Sequence, residues 1–133
     1  MHDTISLKQL IQQIFSDIFE SSGYKQAEIE KHFHPDYQQH VDGKVLNFES
    51  FSAHIKALKD VIVSTKVHFE HILEEGNRVS TIHHIEARKK DGSEVKAYVM
   101  AYFEFEGDQL ILCKELTRIT QGSKEDADLG SRH

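Results

Sequence analysis

Glu115 stands inside an otherwise apolar run, Gln109-Leu-Ile-Leu-Cys-Lys-Glu-Leu-Thr-Arg-Ile119, and an acid there needs an explanation. Apolar surroundings raise a carboxyl pKa towards neutrality, where the group becomes a general base able to take a proton beside a carbonyl. The competing explanation is a structural acid paired with Arg118, Lys114 or a histidine. His40 and His83 are the candidate partners, either as donors to a developing enolate or as proton shuttles. Otherwise they are core histidines satisfied by backbone carbonyls. Tyr98 and Tyr102 would donate to a substrate oxygen or serve as large core residues with a wet hydroxyl. Met100 suits a pocket wall. Cys113 is a nucleophile only if a histidine lowers its pKa, and otherwise a small buried hydrophobe. His68, His71, His83 and His84 lie at spacings that diverge on strands, so no metal site is expected.

These residues need elements to place them. Residues 95–119 form two apolar runs around Gly107-Asp108, a hairpin signal. Further strands are expected at 66–74 and 78–90, joined at Gly76-Asn77, with Asp91-Gly92 leading into 94–106. The result is a four-stranded antiparallel meander. Ahead of it, Leu7, Leu10, Ile11, Ile14, Phe15, Ile18 and Phe19 make the apolar stripe of a helix over 4–22, capped by Asp3 or Thr4 and ended at Gly23. A short helix over 26–33 stops before Pro35, and a short strand follows. Asn47 caps a third helix over about 48–62, with Phe48, Phe51, Ile55, Leu58 and Ile62 on one side. Helices first and strands after give an α+β domain, helices packed on one face of a curved sheet.

Two-residue turns fix a register. They pair Tyr102 with Cys113, Met100 with Glu115 and Tyr98 with Thr117 across the last hairpin. Met100 then faces His83, and His83 faces Glu70. One row is therefore Glu70, His83, Met100, Glu115, flanked by His68, Ile85, Tyr98 and Thr117 and by Ile72, Thr81, Tyr102 and Cys113. Apolar walls with a few titratable groups describe a small-molecule pocket. The opposite face would carry Val99, Phe103, Phe105, Leu110, Leu112 and Leu116, a patch that calls for a homodimer through the sheet.

The order of elements resembles the cone-shaped nuclear transport factor 2-like fold, and within it the SnoaL-like polyketide cyclase family. The tracts that carry the likeness are His34-Pro-Asp-Tyr-Gln-Gln-His40, Glu75-Gly-Asn-Arg-Val79 and Phe103-Glu-Phe-Glu-Gly-Asp-Gln-Leu-Ile-Leu-Cys-Lys-Glu115. The resemblance implies that Tyr37, Gln39 and His40 border the cavity, with His40 facing into it. It also implies that Glu115 stands where the family has a catalytic aspartate. Cys113 and Lys114 replace the histidine and tryptophan of that motif. The epoxide-hydrolysing branch uses an Asp-Arg-Asp constellation, which this chain does not show.

At 133 residues the chain suits one domain, 1–120, followed by a polar tail, 121–133, expected to be disordered. A net charge of −6 argues against nucleic acid as a partner. No run has the length of a membrane span, and one cysteine cannot form an internal disulfide, so a cytoplasmic setting is expected. The functional reading is a cavity for a small hydrophobic molecule. It is either a cofactor-free isomerase or cyclase working on a carbonyl compound, or a non-catalytic binding or dimerisation module.

Overall fold

The computed structural model describes residues 5–122. The expected α+β architecture is present: three helices and a six-stranded, mostly antiparallel sheet. The chain runs through α1 (Leu7–Phe15), α2 (Gln26–His32), β1 (Phe33–Val41), β2 (Lys44–Asn47), α3 (Phe48–Val61), β3 (Ile62–Glu75), β4 (Arg78–Lys89), β5 (Glu94–Glu106) and β6 (Gln109–Gln121). The sheet order is β2-β1-β6-β5-β4-β3, with β1 parallel to β6 and every other pair antiparallel.

Local chemistry explains the helix ends. Ser6 caps α1 in a capping box: its hydroxyl accepts from the Gln9 amide, and the Gln9 side chain accepts from the Ser6 amide. The expected caps, Asp3 and Thr4, both lie outside the described residues. After Phe15 the helix widens into a π-turn, Ser16–Glu20, before Gly23 turns the chain with φ of 78°. Asn47 caps α3 as expected, its side chain accepting from the Ser50 amide at 2.8 Å. Strand β6 runs through Gln121, so the chain is ordered into the sheet where the polar tail was expected to begin; residues 123–133 of that tail lie outside the described residues.

The meander is as expected, but its register is not. At the last turn Glu106 pairs with Gln109 and Phe105 with Leu110, after which Glu104 pairs with Leu112 and Phe103 with Cys113. Ile111 is an extra residue, a β-bulge that shifts the rest of β6 by one. The β4–β5 turn closes from Lys89 to Ser93, whose backbone groups bond at 2.8 Å, rather than as a two-residue turn at Asp91-Gly92. Its glycine, Gly92, takes a φ of 89°. A third shift falls between Phe69 and His71, leaving Glu70 out of the ladder.

Consequently β5 is turned over relative to the expected face. Val95, Ala97, Val99, Ala101, Phe103 and Phe105 point inward, while Tyr98, Met100 and Tyr102 point outward. The true rows are Thr81, Ala101, Glu115 and His83, Val99, Thr117. The two one-residue displacements cancel in parity between β4 and β6, so His83 and Glu115 keep the same face. The expected dimer patch is corrected by the same shift: Val99, Phe103, Phe105 and Leu110 are buried in this chain's own core, and of the six only Leu116 is largely exposed.

That core sits between the helices and the inner face of the sheet. Phe15 is its hub, with ring centroids of Phe19, Phe69, His83 and Phe103 at 5.1, 5.2, 5.1 and 5.9 Å. A second aromatic group, Phe33, Tyr37 and Phe51, joins β1 to α3. Edge-on ring contacts of this kind stabilise beyond their buried area.

Candidate active site

Between these aromatic groups lies a cavity of about 130 Å³. Cavities of about 150 Å³ accept a ligand the size of benzene, so the space suits a small molecule. Its walls are mostly apolar: Phe15, Phe19 and Leu58 from the helices, Ile85, Ala97 and Val99 from the sheet. The polar groups on it are Tyr37, Gln39, His54, Thr65, Cys113, Glu115 and Thr117.

The sheet supplies the acid. Beyond the Ile111 bulge, Cys113, Glu115 and Thr117 alternate onto the inner face, and Lys114, Leu116 and Arg118 onto the outer one. Glu115 therefore meets neutral neighbours: its Oε2 lies 3.7 Å from the Cys113 thiol and its Oε1 3.5 Å from the Thr117 hydroxyl. Burial is the main cause that raises its pKa, to about 7, and the nearby Asp42 charge adds to it; the Cys113 and Thr117 contacts oppose the rise. The expected alternative pairing with Lys114 or Arg118 is disfavoured by this alternation.

Strand β1 supplies the neighbours of the acid. Gln39 pairs with Cys113 and Val41 with Glu115 across the parallel ladder. Tyr37, buried two residues before, donates its hydroxyl to Gln39 Oε1 at 2.7 Å. Burial pushes the Tyr37 hydroxyl well above its ordinary pKa, and the Cys113 and Glu115 charges would push it further. Burial likewise pushes the Cys113 thiol up, with Glu115 adding to the effect, so Cys113 is a neutral wall and not a thiolate nucleophile.

The other sequence candidates divide. His83 is on the inner face but outside the cavity lining: its Nδ1 bonds the Thr81 hydroxyl at 2.9 Å, and Phe15 and Phe69 cover its ring. Burial lowers its pKa to about 4, with the His84 charge a lesser cause. His40 faces the opposite way, on an open outer groove with Met100, Tyr102 and Lys114. Tyr98 packs on His84 with centroids 4.6 Å apart, and Tyr102 donates to Glu104; both belong to that outer face. Glu70, left out of the ladder, bonds His84 at 2.9 Å and not His83, while His68 pairs with Glu86 at 2.8 Å. The inversion of β5 and the alternation of β1 account for these placements.

His54 is the residue missed. It is buried on α3 and lines the cavity. Its signal was in the sequence: it falls three residues after Phe51 and four before Leu58, on the same inward stripe. Among the described residues, one group of side chains has metal-ligating proximity, Asp17, Glu28 and His32, on the helical layer and away from the cavity lining. No helix among them is long and apolar enough to cross a membrane.

Comparison with known proteins agrees with this architecture. The SnoaL-like domain profile matches residues 15–112, ending just before Cys113 and Glu115. An uncharacterised protein of Schizosaccharomyces pombe, C11D3.04c, is 33% identical over 97 residues, 73% of this chain and 75% of that one. Among solved structures, a protein assigned as a SnoaL-like polyketide cyclase from Shewanella denitrificans superposes with a TM-score of 0.71 at 14% identity, over 83% of this chain and 88% of its own. An epoxide hydrolase of M. tuberculosis gives 0.69 at 12% identity, over 84% and 81%. A protein of ketosteroid isomerase-like fold from Catenulispora acidiphila, solved with trimethylamine, gives 0.67 at 11% identity, over 91% of each chain. At these identities the structures share the fold, which hosts cyclases and epoxide hydrolases alike.

Proposed function

This chain belongs to the SnoaL-like domain family, and on that premise we propose that it binds a small, moderately hydrophobic carbonyl compound and moves a proton on it without a cofactor. Glu115 is the base, and the reaction is an isomerisation or an aldol-type cyclisation. The observation that carries this reading is a carboxyl with a pKa of about 7 on the wall of a mostly apolar cavity. Such a group is ionised in a useful fraction at neutral pH and basic enough to accept a proton from carbon. His54 stands on the same cavity wall and is the group to polarise the substrate oxygen, in the place that His40 and His83 held in the sequence reading. Tyr37 and Gln39 orient the ligand beside the acid.

The test is proton exchange. Small cyclic ketones are incubated with the protein in D2O and followed by NMR for deuterium at the carbon next to the carbonyl. Wild type is expected to exchange it, and Glu115→Gln to lose about 100-fold or more of the rate. If both forms release the ketone unexchanged, the enzymatic reading fails.

That outcome would favour the second reading, a non-catalytic binding module, which the replacement of the family's His-Trp by Cys113-Lys114 supports. Under either reading we place the protein in the cytoplasm, where its one free thiol stays reduced. We also propose a homodimer through the outer sheet face, where Ile82, Met100 and Leu116 form one cross-strand row with Met100 51% and Leu116 67% exposed. Light scattering on wild type and Leu116→Lys tests it; a monomeric wild type refutes it.

A further inference from the structure

Asp42, the residue after β1, stands in a conformation that side chains rarely adopt. Its φ is 48°, and Gly43 follows at 89° to complete the turn into β2. The left-handed region costs a non-glycine residue free energy, though less for aspartate and asparagine than for most. Something must hold Asp42 there, and two hydrogen bonds to β6 do. Its amide donates to the Glu115 carbonyl at 3.1 Å, and its Oδ1 accepts from the Thr117 amide at 3.0 Å. The two bonds bracket Glu115 along its strand. They also fix Thr117, whose hydroxyl lies against the Glu115 carboxyl.

The same geometry brings a second negative charge to the acid. Asp42 is exposed, on the open outer groove that Glu115 also borders. The titratable groups around Glu115 are Tyr37 from β1, Asp42 from the turn after it, Cys113 on its own strand and His54 on the cavity wall from α3, with His40, Tyr102 and Lys114 on the outer groove. On the cavity side strand β5 contributes only apolar side chains, Ala97, Val99 and Phe103 among them, and α1 contributes Ile14 and Phe15. Asp42 is thus the one carboxylate among these neighbours. Burial alone favours the protonated form, and a like charge nearby favours it further.

We propose that Asp42 is the positioning residue of this site: its clamp on β6 fixes the Glu115 carboxyl, and its charge sets the pH at which that carboxyl turns from acid to base. It touches no substrate and acts through Glu115, so the inference rests on Glu115 being the proton-transfer group. It assigns to a turn, whose sequence Asp-Gly reads as a mere chain reversal, the tuning of the chemistry.

The experiment follows the carboxyl carbon of Glu115 by NMR in the full chain labelled with 13C-glutamate, the resonance assigned by its loss in Glu115→Gln. Asp42→Asn keeps an acceptor oxygen for the Thr117 amide and tolerates the positive φ, but removes the charge. Its titration midpoint is expected to fall by about half a pH unit or more. In wild type, raising the salt concentration should also lower the midpoint, by screening Asp42, and should do much less in Asp42→Asn. The salt arm needs only wild type, so an absent response refutes the role of the Asp42 charge even if the variant does not fold. An unchanged midpoint in a folded Asp42→Asn, or no salt response in wild type, overturns the role of Asp42. A wild-type Glu115 that titrates in the ordinary carboxylate range overturns the reading of Glu115 itself, and so separates the two failures.

Discussion

His83 and Glu115 occupy neighbouring rows on one face of one sheet, yet one is sealed in a packed core and the other borders a void. Opposite His83, α1 and β3 place the rings of Phe15 and Phe69, and Thr81 takes its Nδ1. Opposite Glu115 the walls stand back and leave the cavity. Burial drives both towards the neutral form, His83 down to about 4 and Glu115 up to about 7. A perturbed pKa therefore does not by itself distinguish a site from a core. Space in front of the group does, since a reacting atom must fit within hydrogen-bond reach of it.

The largest expected effect comes from opening the sealed side. Phe15→Ala should cost about 3–5 kcal/mol in urea unfolding. It should also return the NMR titration of His83 towards its ordinary range; if His83 stays low, the rings are not what seals it. Next is the acid limb of stability. The unfolded chain takes up a proton on histidine below about 6.5, while folded His83 resists until about 4. The His83 contribution to stability should thus fall as pH drops through that window, by on the order of 3 kcal/mol, read as the difference between wild type and His83→Gln.

Glu115 has the opposite sign. Between 4.5 and about 7 the folded protein holds a proton that the unfolded chain has released, so stability falls as pH rises through that window. The loss should be about 2 kcal/mol, allowing for the solvent contact of a half-buried group, and Glu115→Gln should abolish it. Because the two slopes oppose each other below about 6.5, the check is the difference between the wild-type and Glu115→Gln profiles; no difference between them from pH 5 to 8 would place Glu115 with the surface acids instead. The smallest effect is Tyr37→Phe, which removes one buried donor to Gln39 and should cost about 1–2 kcal/mol in thermal unfolding while leaving both titrations in place.

The sequence made the architecture legible because its signals are local. The Asn47 cap, the apolar stripes of the helices and the turn residues between strands each act within a few positions. Glu115 was legible for the same reason, as an acid in an apolar run. Tyr98, Met100 and Tyr102 were assigned to the wrong face because bulges depend on how a twisted sheet closes against its helices, which no single strand encodes. His54 was passed over because a histidine on an otherwise apolar helical stripe reads as one more core position until the cavity beside it is known.

Ile111 carries a consequence of another kind. It acts as a frame marker for β6, the one residue that decides which alternate positions are presented inward. Were Ile111 instead to take a place in the ladder opposite Glu104, the pairing beyond it would slip by one, sending Lys114 and Arg118 towards the cavity and the acid towards solvent. In that slipped register the same letters would carry the opposite meaning.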